Sequence, residues 1–180
     1  MFGSTEVLPC EISKPETQVR CVRSQAYLLI SGPQVAAQLC SAQHLTAAGK
    51  VYRREIVSRT HVEAFHQFEL FSLAKRGELD AWQLAGRIMG AVDRVLPRAE
   101  VRVTPTEYPM SKRAWSLDVL ADGQWLEMLA WGEYADWVLR ALGADPEQHC
   151  ALGAGFGLER FAALKYQIDD IRKIAGASLG

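Results

Sequence analysis

No run in this 180-residue sequence reaches the roughly 18 apolar residues that would cross a bilayer. The opening Met1-Phe2-Gly3-Ser4-Thr5-Glu6 has no basic segment leading into an apolar one, so no secretory signal is expected. Excess charge of one sign is also missing: 20 Lys and Arg face 21 Asp and Glu, a net charge of −1, which leaves no positive surplus for gripping a long nucleic-acid backbone. The four cysteines (Cys10, Cys21, Cys40, Cys150) lack CxxC spacing, and the adjacent His149 and Cys150 make a poor pair of ligands for one zinc ion. Repeats and low-complexity tracts are absent, as are the GxGxxG spacing of dinucleotide folds and the GK[ST] of a P-loop. With 49% hydrophobic and 23% charged residues the chain can build a core, which excludes a disordered chain. The expectation is a soluble, cytoplasmic protein with one domain over residues 1–180.

Periodicity and punctuation divide the chain. Residues 1–20 read as an extended leading segment, and residues 27–39 have helical spacing broken at Gly32-Pro33. Residues 51–57 and 64–73 read as strands joined by a polar turn, and residues 78–96 as the clearest helix, stopped by Pro97. Strands are expected at 100–103, 115–121 and 124–131, with Ala121-Asp122-Gly123 as a tight turn. A helix over 134–142, a glycine-rich strand over 150–156 and a helix over 158–165 complete the pattern. Helices interleaved with strands joined by short turns predict an α+β fold with an antiparallel sheet flanked by helices.

Strand parity supplies the first chemical signal. In residues 64–73, Phe65, Gln67, Glu69 and Phe71 share one face, and on the preceding strand Arg53 and Glu55 share another. So many polar groups on one side suit either a wet face or a cleft offering a cation to an anion and carboxylates to an amine or metal. In residues 124–131 the same alternation puts Trp125, Glu127, Leu129 and Trp131 together, where a lone glutamate needs a cation beside it.

Gly49-Lys-Val-Tyr-Arg-Arg-Glu55 followed by Thr60-His-Val-Glu-Ala-Phe-His-Gln-Phe-Glu69 resembles the second signature motif of class II aminoacyl-tRNA synthetases, in the form carried by phenylalanyl-tRNA synthetase α-subunits. Gly155-Phe-Gly-Leu-Glu-Arg-Phe-Ala-Ala-Leu-Lys-Tyr-Gln-Ile-Asp-Asp-Ile-Arg172 resembles the third motif, and the resemblance runs over about residues 19–174. It implies ATP and Mg2+ as cofactors and the activation of an amino acid or related carboxylic acid, aromatic ones included, as an acyl-adenylate. By the same resemblance Arg53 contacts the α-phosphate and the substrate carboxylate, Phe65 stacks on adenine, and Arg160 takes the γ-phosphate. Arg53 and Arg160 are thus the catalytic candidates, with Glu55 and His61 beside the ATP. Glu127 would bind magnesium, Gln67 and Glu69 the substrate amine, and Ser24 would line the same pocket.

The departures bear on substrate. The family's paired phenylalanines become Tyr108 and Met110, and its Phe-Ala-Phe-Gly becomes Leu152-Gly153-Ala154-Gly155. Gly153 and Ala154 would thus remove a methyl and a ring from the pocket wall, while Trp131 could refill the space. A ring-sized change is worth about 2–3 kcal/mol, enough to move specificity about a hundredfold, so phenylalanine is not expected to be the best substrate. No tRNA-binding arm or counterpart of the first motif is visible in residues 1–20, so charging tRNA unaided is not expected. The leading expectation is therefore acyl transfer to a small amine, a carrier protein or a protein lysine. The alternatives are a catalytic subunit of an aminoacyl-tRNA synthetase working with partner chains, and a non-catalytic paralogue that binds an amino acid or nucleotide. A homodimer or a heteromeric partner is compatible with each.

Overall fold

The structure is a computed structural model that describes residues 43–54 and 56–175. The leading segment, the helix expected over 27–39, Ser24, Glu55 and three of the cysteines lie outside the described residues.

Six antiparallel strands form one sheet in the order β1-β2-β6-β5-β4-β3. They are β1 (Gln43–Tyr52), β2 (Ala64–Lys75), β3 (Val101–Thr106), β4 (Ser111–Ala121), β5 (Gln124–Tyr134) and β6 (His149–Gly157). Helix α1 (Ala81–Val95) follows β2, α2 (Asp136–Ala141) follows β5, and α3 (Leu158–Lys165) follows β6 directly. This is the expected α+β architecture. Among the described residues no helix is long and apolar enough to cross a membrane.

The first strand departs from its expected bounds. Residues 51–57 were to be the strand, yet β1 ends at Tyr52, after which Arg53 N–H donates to Glu63 O at 2.8 Å and the chain leaves the ladder. The stretch Gln43–Lys50 carries little strand signal of its own. It is held by pairing along β2, from Gln43 opposite Leu73 to Tyr52 opposite Ala64, so its partner decides its conformation. At the other edge β3 admits Pro105, which an interior strand would not. The β4–β5 hairpin turns at Asp122 (φ 49°) and Gly123 (φ 74°), the two positive values that a two-residue hairpin loop requires.

Helix α1 begins at Asp80, whose side chain accepts from Trp82 N–H at 2.7 Å and Gln83 N–H at 3.0 Å. Its buried stripe, Ala85, Ile88 and Val92, packs on Leu117, Val119, Met128 and Leu129 of the sheet. On the opposite face Val138 and Leu139 of α2 cover Phe71, Leu73 and Ala151. The sequence placed Tyr134 in this second helix, but Tyr134 pairs with Ser111 as the last residue of β5. Ala135 N–H then donates to Met110 O at 2.8 Å, so tertiary pairing carries the strand three residues beyond its expected end.

One irregularity in β5 sets the site. Leu117 pairs with Leu129 but Asp118 pairs with Glu127, so Met128 is an extra residue on its strand. The alternation expected for residues 124–131 therefore breaks. Glu127 faces one side of the sheet, while Leu129 and Trp131 turn to the other and join the core under α1.

Two substitutions in α1 test this account of its stability. Asp80→Ala should cost about 1 kcal/mol by removing the cap, and Gly90→Ala, exposed with nothing near a new methyl, should gain about 0.5–1 kcal/mol. Urea unfolding midpoints check both, and equal midpoints would refute the helix assignment.

Candidate active site

The face that carries α2 contains a cavity of about 450 Å3. Its layout follows from the register of β2, β6 and β5. Phe71 lies opposite Gly153 and Gly153 opposite Gly132, so these residues and Tyr134 mark one end. Phe65, Gly157 and Glu127 mark the other, with Gln67, Glu69 and Gly155 between them. Arg53, just past β1, and Arg160, in the first turn of α3, both reach the end held by Glu127. The cavity thus runs from a charged end through a polar middle to an apolar end.

The two arginines are positioned by different means. The Arg53 guanidinium lies 4.8 Å over the Phe65 ring. Arg160 Nε donates to Thr60 O at 3.3 Å and its terminal nitrogen donates to the Glu127 carbonyl, tying the β1–β2 loop to β5. Glu127 stays open to solvent, yet partial desolvation pushes its carboxyl above the ordinary glutamate range. Arg160 and Arg53 pull it down, and Asp118, opposite it in the ladder, pushes it up. Asp118 is itself buried and bonded to Arg102 at 2.8 Å. A carboxyl destabilised in its charged form suits a divalent cation. Among the described residues no three His, Cys, Asp or Glu side chains converge, so the remaining ligands of a magnesium ion would be phosphate oxygens and water.

In the middle of the cavity Gln67 lies across β6, where a methyl on Gly155 would meet Gln67 Nε2 at 2.3 Å. The absence of a side chain at Gly155 is what leaves room for the amide there. At the rim Tyr108 and Met110 flank a turn closed by Ser111, whose hydroxyl donates to Tyr108 O at 2.9 Å. Trp137 Nε1 donates to Pro109 O at 3.3 Å and ties this turn to α2. Burial, and to a lesser degree the charge of Glu127, raises the Tyr108 phenol above its ordinary value.

Three expectations are corrected by where the side chains go. Trp131 borders the cavity but its indole does not refill it: the ring stacks on Trp115 at 6.0 Å, and Trp115 meets Trp82 of α1 at 5.2 Å, on the opposite side of the sheet. Ala154 borders the cavity, yet it lies directly across from Trp131 and packs in the same core, so the space of the lost ring opens on that core. Gly153 does face the cavity, but the space without its methyl is taken, because a Cβ there would lie 2.7 Å from the Tyr134 hydroxyl. His61 sits in the β1–β2 loop, hydrogen-bonded to Thr60 Oγ1 at 2.9 Å, and does not line the cavity.

Two residues escaped the sequence reading. Glu159 is buried beside Arg160, with both carboxylate oxygens 2.8 Å from His66 N–H and one of them 2.8 Å from His66 Nδ1. The available signal was His66 itself, a polar residue sharing the apolar face of β2 with Phe68 and Leu70 and so needing a partner. Tyr134 was hidden by its assignment to a helix.

An antiparallel sheet carrying two cavity-facing arginines, one after an edge strand and one opening a helix, defines the catalytic core of a class of ligases. The family described as the tRNA synthetases class II core domain (F) matches residues 17–180, and this chain belongs to it. More particularly, it is similar to phenylalanine–tRNA ligase alpha subunits. That of a Synechocystis species is 37% identical over 136 residues, covering 75% of this chain and 40% of the relative. That of Prochlorococcus marinus is 32% identical over 162 residues, covering 90% and 44%, and that of Nostoc punctiforme is 35% identical over 135 residues, covering 75% and 40%. The chain therefore spans about two fifths of the length of these relatives.

The Glu127 environment has a sign that can be measured. A raised carboxyl in the folded protein means that its favourable contribution is complete below the unfolded value and is lost as pH rises through the folded one. Glu127→Gln removes that loss, so its stability relative to the parent should increase as pH rises above about 4. Urea unfolding across that range checks it, and parallel profiles would mean a fully solvated carboxyl.

Proposed function

We propose that this chain activates an amino acid with ATP as an aminoacyl-adenylate, serving as the catalytic core of an aminoacyl-tRNA synthetase that works with partner chains. The observation that carries the reading is the polarity of one cavity: Arg53, Arg160 and Glu127 at one end, Gln67 and Glu69 in the middle, apolar walls at the other. A zwitterionic acid with its carboxylate toward the arginines fits that gradient.

The substrate carboxylate oxygen attacks the α-phosphorus, the α–β phosphoanhydride bond breaks, and pyrophosphate leaves. No general base is needed, since the nucleophile is already ionised, so catalysis rests on placement and charge neutralisation. Arg53 offers a planar fork to the reacting carboxylate and α-phosphate, a job a lysine does less well. Arg160 would hold the departing phosphates, and Gln67 and Glu69 the ammonium group. Phe65 would present its ring to the adenine. Magnesium, held through Glu127, would supply further neutralisation of phosphate charge.

Transfer to tRNA is preferred over the small amine, carrier protein or protein lysine expected from the sequence, because the relatives described above are tRNA ligase subunits. Their designation as alpha subunits supports a second, different chain in the working enzyme. Amino-acid-dependent ATP–pyrophosphate exchange tests the chemistry. Arg160→Ala should lower exchange by about a hundredfold or more while circular dichroism shows the fold kept, and unchanged exchange would overturn the assignment. Label retained on tRNA when a partner chain is supplied supports the tRNA reading, whereas label on an amine, thiol or lysine would reverse that preference.

A further inference from the structure

The apolar end of the cavity is closed by a tyrosine that no role described so far uses. Tyr134 ends β5 with its ring 5.4 Å from Phe71 and its hydroxyl over Gly153, where it fills the space a methyl would need. Among the described residues its hydroxyl has no hydrogen-bond partner within the protein. Burial and the neighbouring Glu69 hold the phenol at about 12, so at neutral pH it remains a hydrogen-bond donor. A neutral donor at the end of a recess whose other walls there are mainly apolar is a polar handle of the kind that orients ligands in such pockets.

We propose that Tyr134 sets the side-chain specificity of this site, shortening the recess and offering its hydroxyl to an acceptor, so that the acid activated carries a compact side chain ending in a hydroxyl or amide. The inference rests on the amino-acid-activating reading above and names its substrate class. Phe71, Val138 and Leu142 wall the recess and give shape without polarity, so discrimination between isosteric side chains falls to Tyr134. A site built to bond a polar group rejects the analogue lacking it far more strongly than an apolar pocket rejects an extra methyl.

The test is ATP–pyrophosphate exchange by the full chain with the proteinogenic amino acids, comparing the parent with Tyr134→Phe and Tyr134→Ala. The parent should exchange fastest with a compact polar acid and favour threonine over valine, or asparagine over leucine, by about tenfold or more. Tyr134→Phe keeps the ring and its packing on Phe71 and should erase that polar preference. Tyr134→Ala should raise phenylalanine-dependent exchange by about tenfold relative to threonine. Exchange fastest with phenylalanine in the parent, or a polar preference unchanged in Tyr134→Phe, overturns this inference and leaves the activating chemistry intact. Exchange with no acid in the set overturns the activating reading, and this inference falls with it.

Discussion

The charged end of the cavity depends on the buried contact between Glu159 and His66. These residues lie 93 positions apart, and the contact fastens the first turn of α3 to the start of β2. Its three close approaches satisfy a carboxylate that would otherwise be buried without compensation, a situation worth several kcal/mol. Arg160 follows Glu159 immediately and Phe65 precedes His66. One hydrogen-bonded pair therefore fixes the separation between a cavity guanidinium and the aromatic ring over which the other guanidinium lies. The residues that touch a ligand are aimed by neighbours that do not.

Much of this was legible in the sequence because the relevant signals were local. The apolar stripe of α1, the Asp122-Gly123 turn and the alternation of Phe65, Gln67 and Glu69 all follow from the preferences of short segments. The gathering of Arg53, Gln67, Glu69, Glu127 and Arg160 around one cavity was implied instead by the resemblance to the synthetase motifs, since no local preference joins residues so far apart in the chain. What failed was whatever pairing decides. The strand Gln43–Tyr52 has too little intrinsic preference to be read alone, and Tyr134 belongs to a strand only because Ser111 lies opposite it. The bulge at Met128 shifts parity by one residue. It thereby moved Trp131 from its expected place in the pocket to the core under α1.

The glycine-rich strand β6 shows how the two faces of one sheet divide their work. On the helix side Ala154 sits opposite Trp131, a small residue against a large one, so volume is conserved within the core. On the cavity side Gly155 yields its space to Gln67 and Gly153 yields its space to Tyr134. The same short run thus accommodates an indole under α1 and, on its reverse, two polar side chains that define the middle and the end of the recess.

The extra residue at Met128 also bears on how β5 finds its partners. An alternating strand is prone to slipping by one residue, since the ladder hydrogen bonds re-form in the shifted frame. Here the two halves of β5 are out of phase with each other. Any single-residue slip would drive the Glu127 carboxylate under α1, eject the Trp131 indole toward solvent, or displace the kink from its place opposite Leu117 and Asp118. The irregularity works as a checksum: only one alignment of the hairpin satisfies both halves at once.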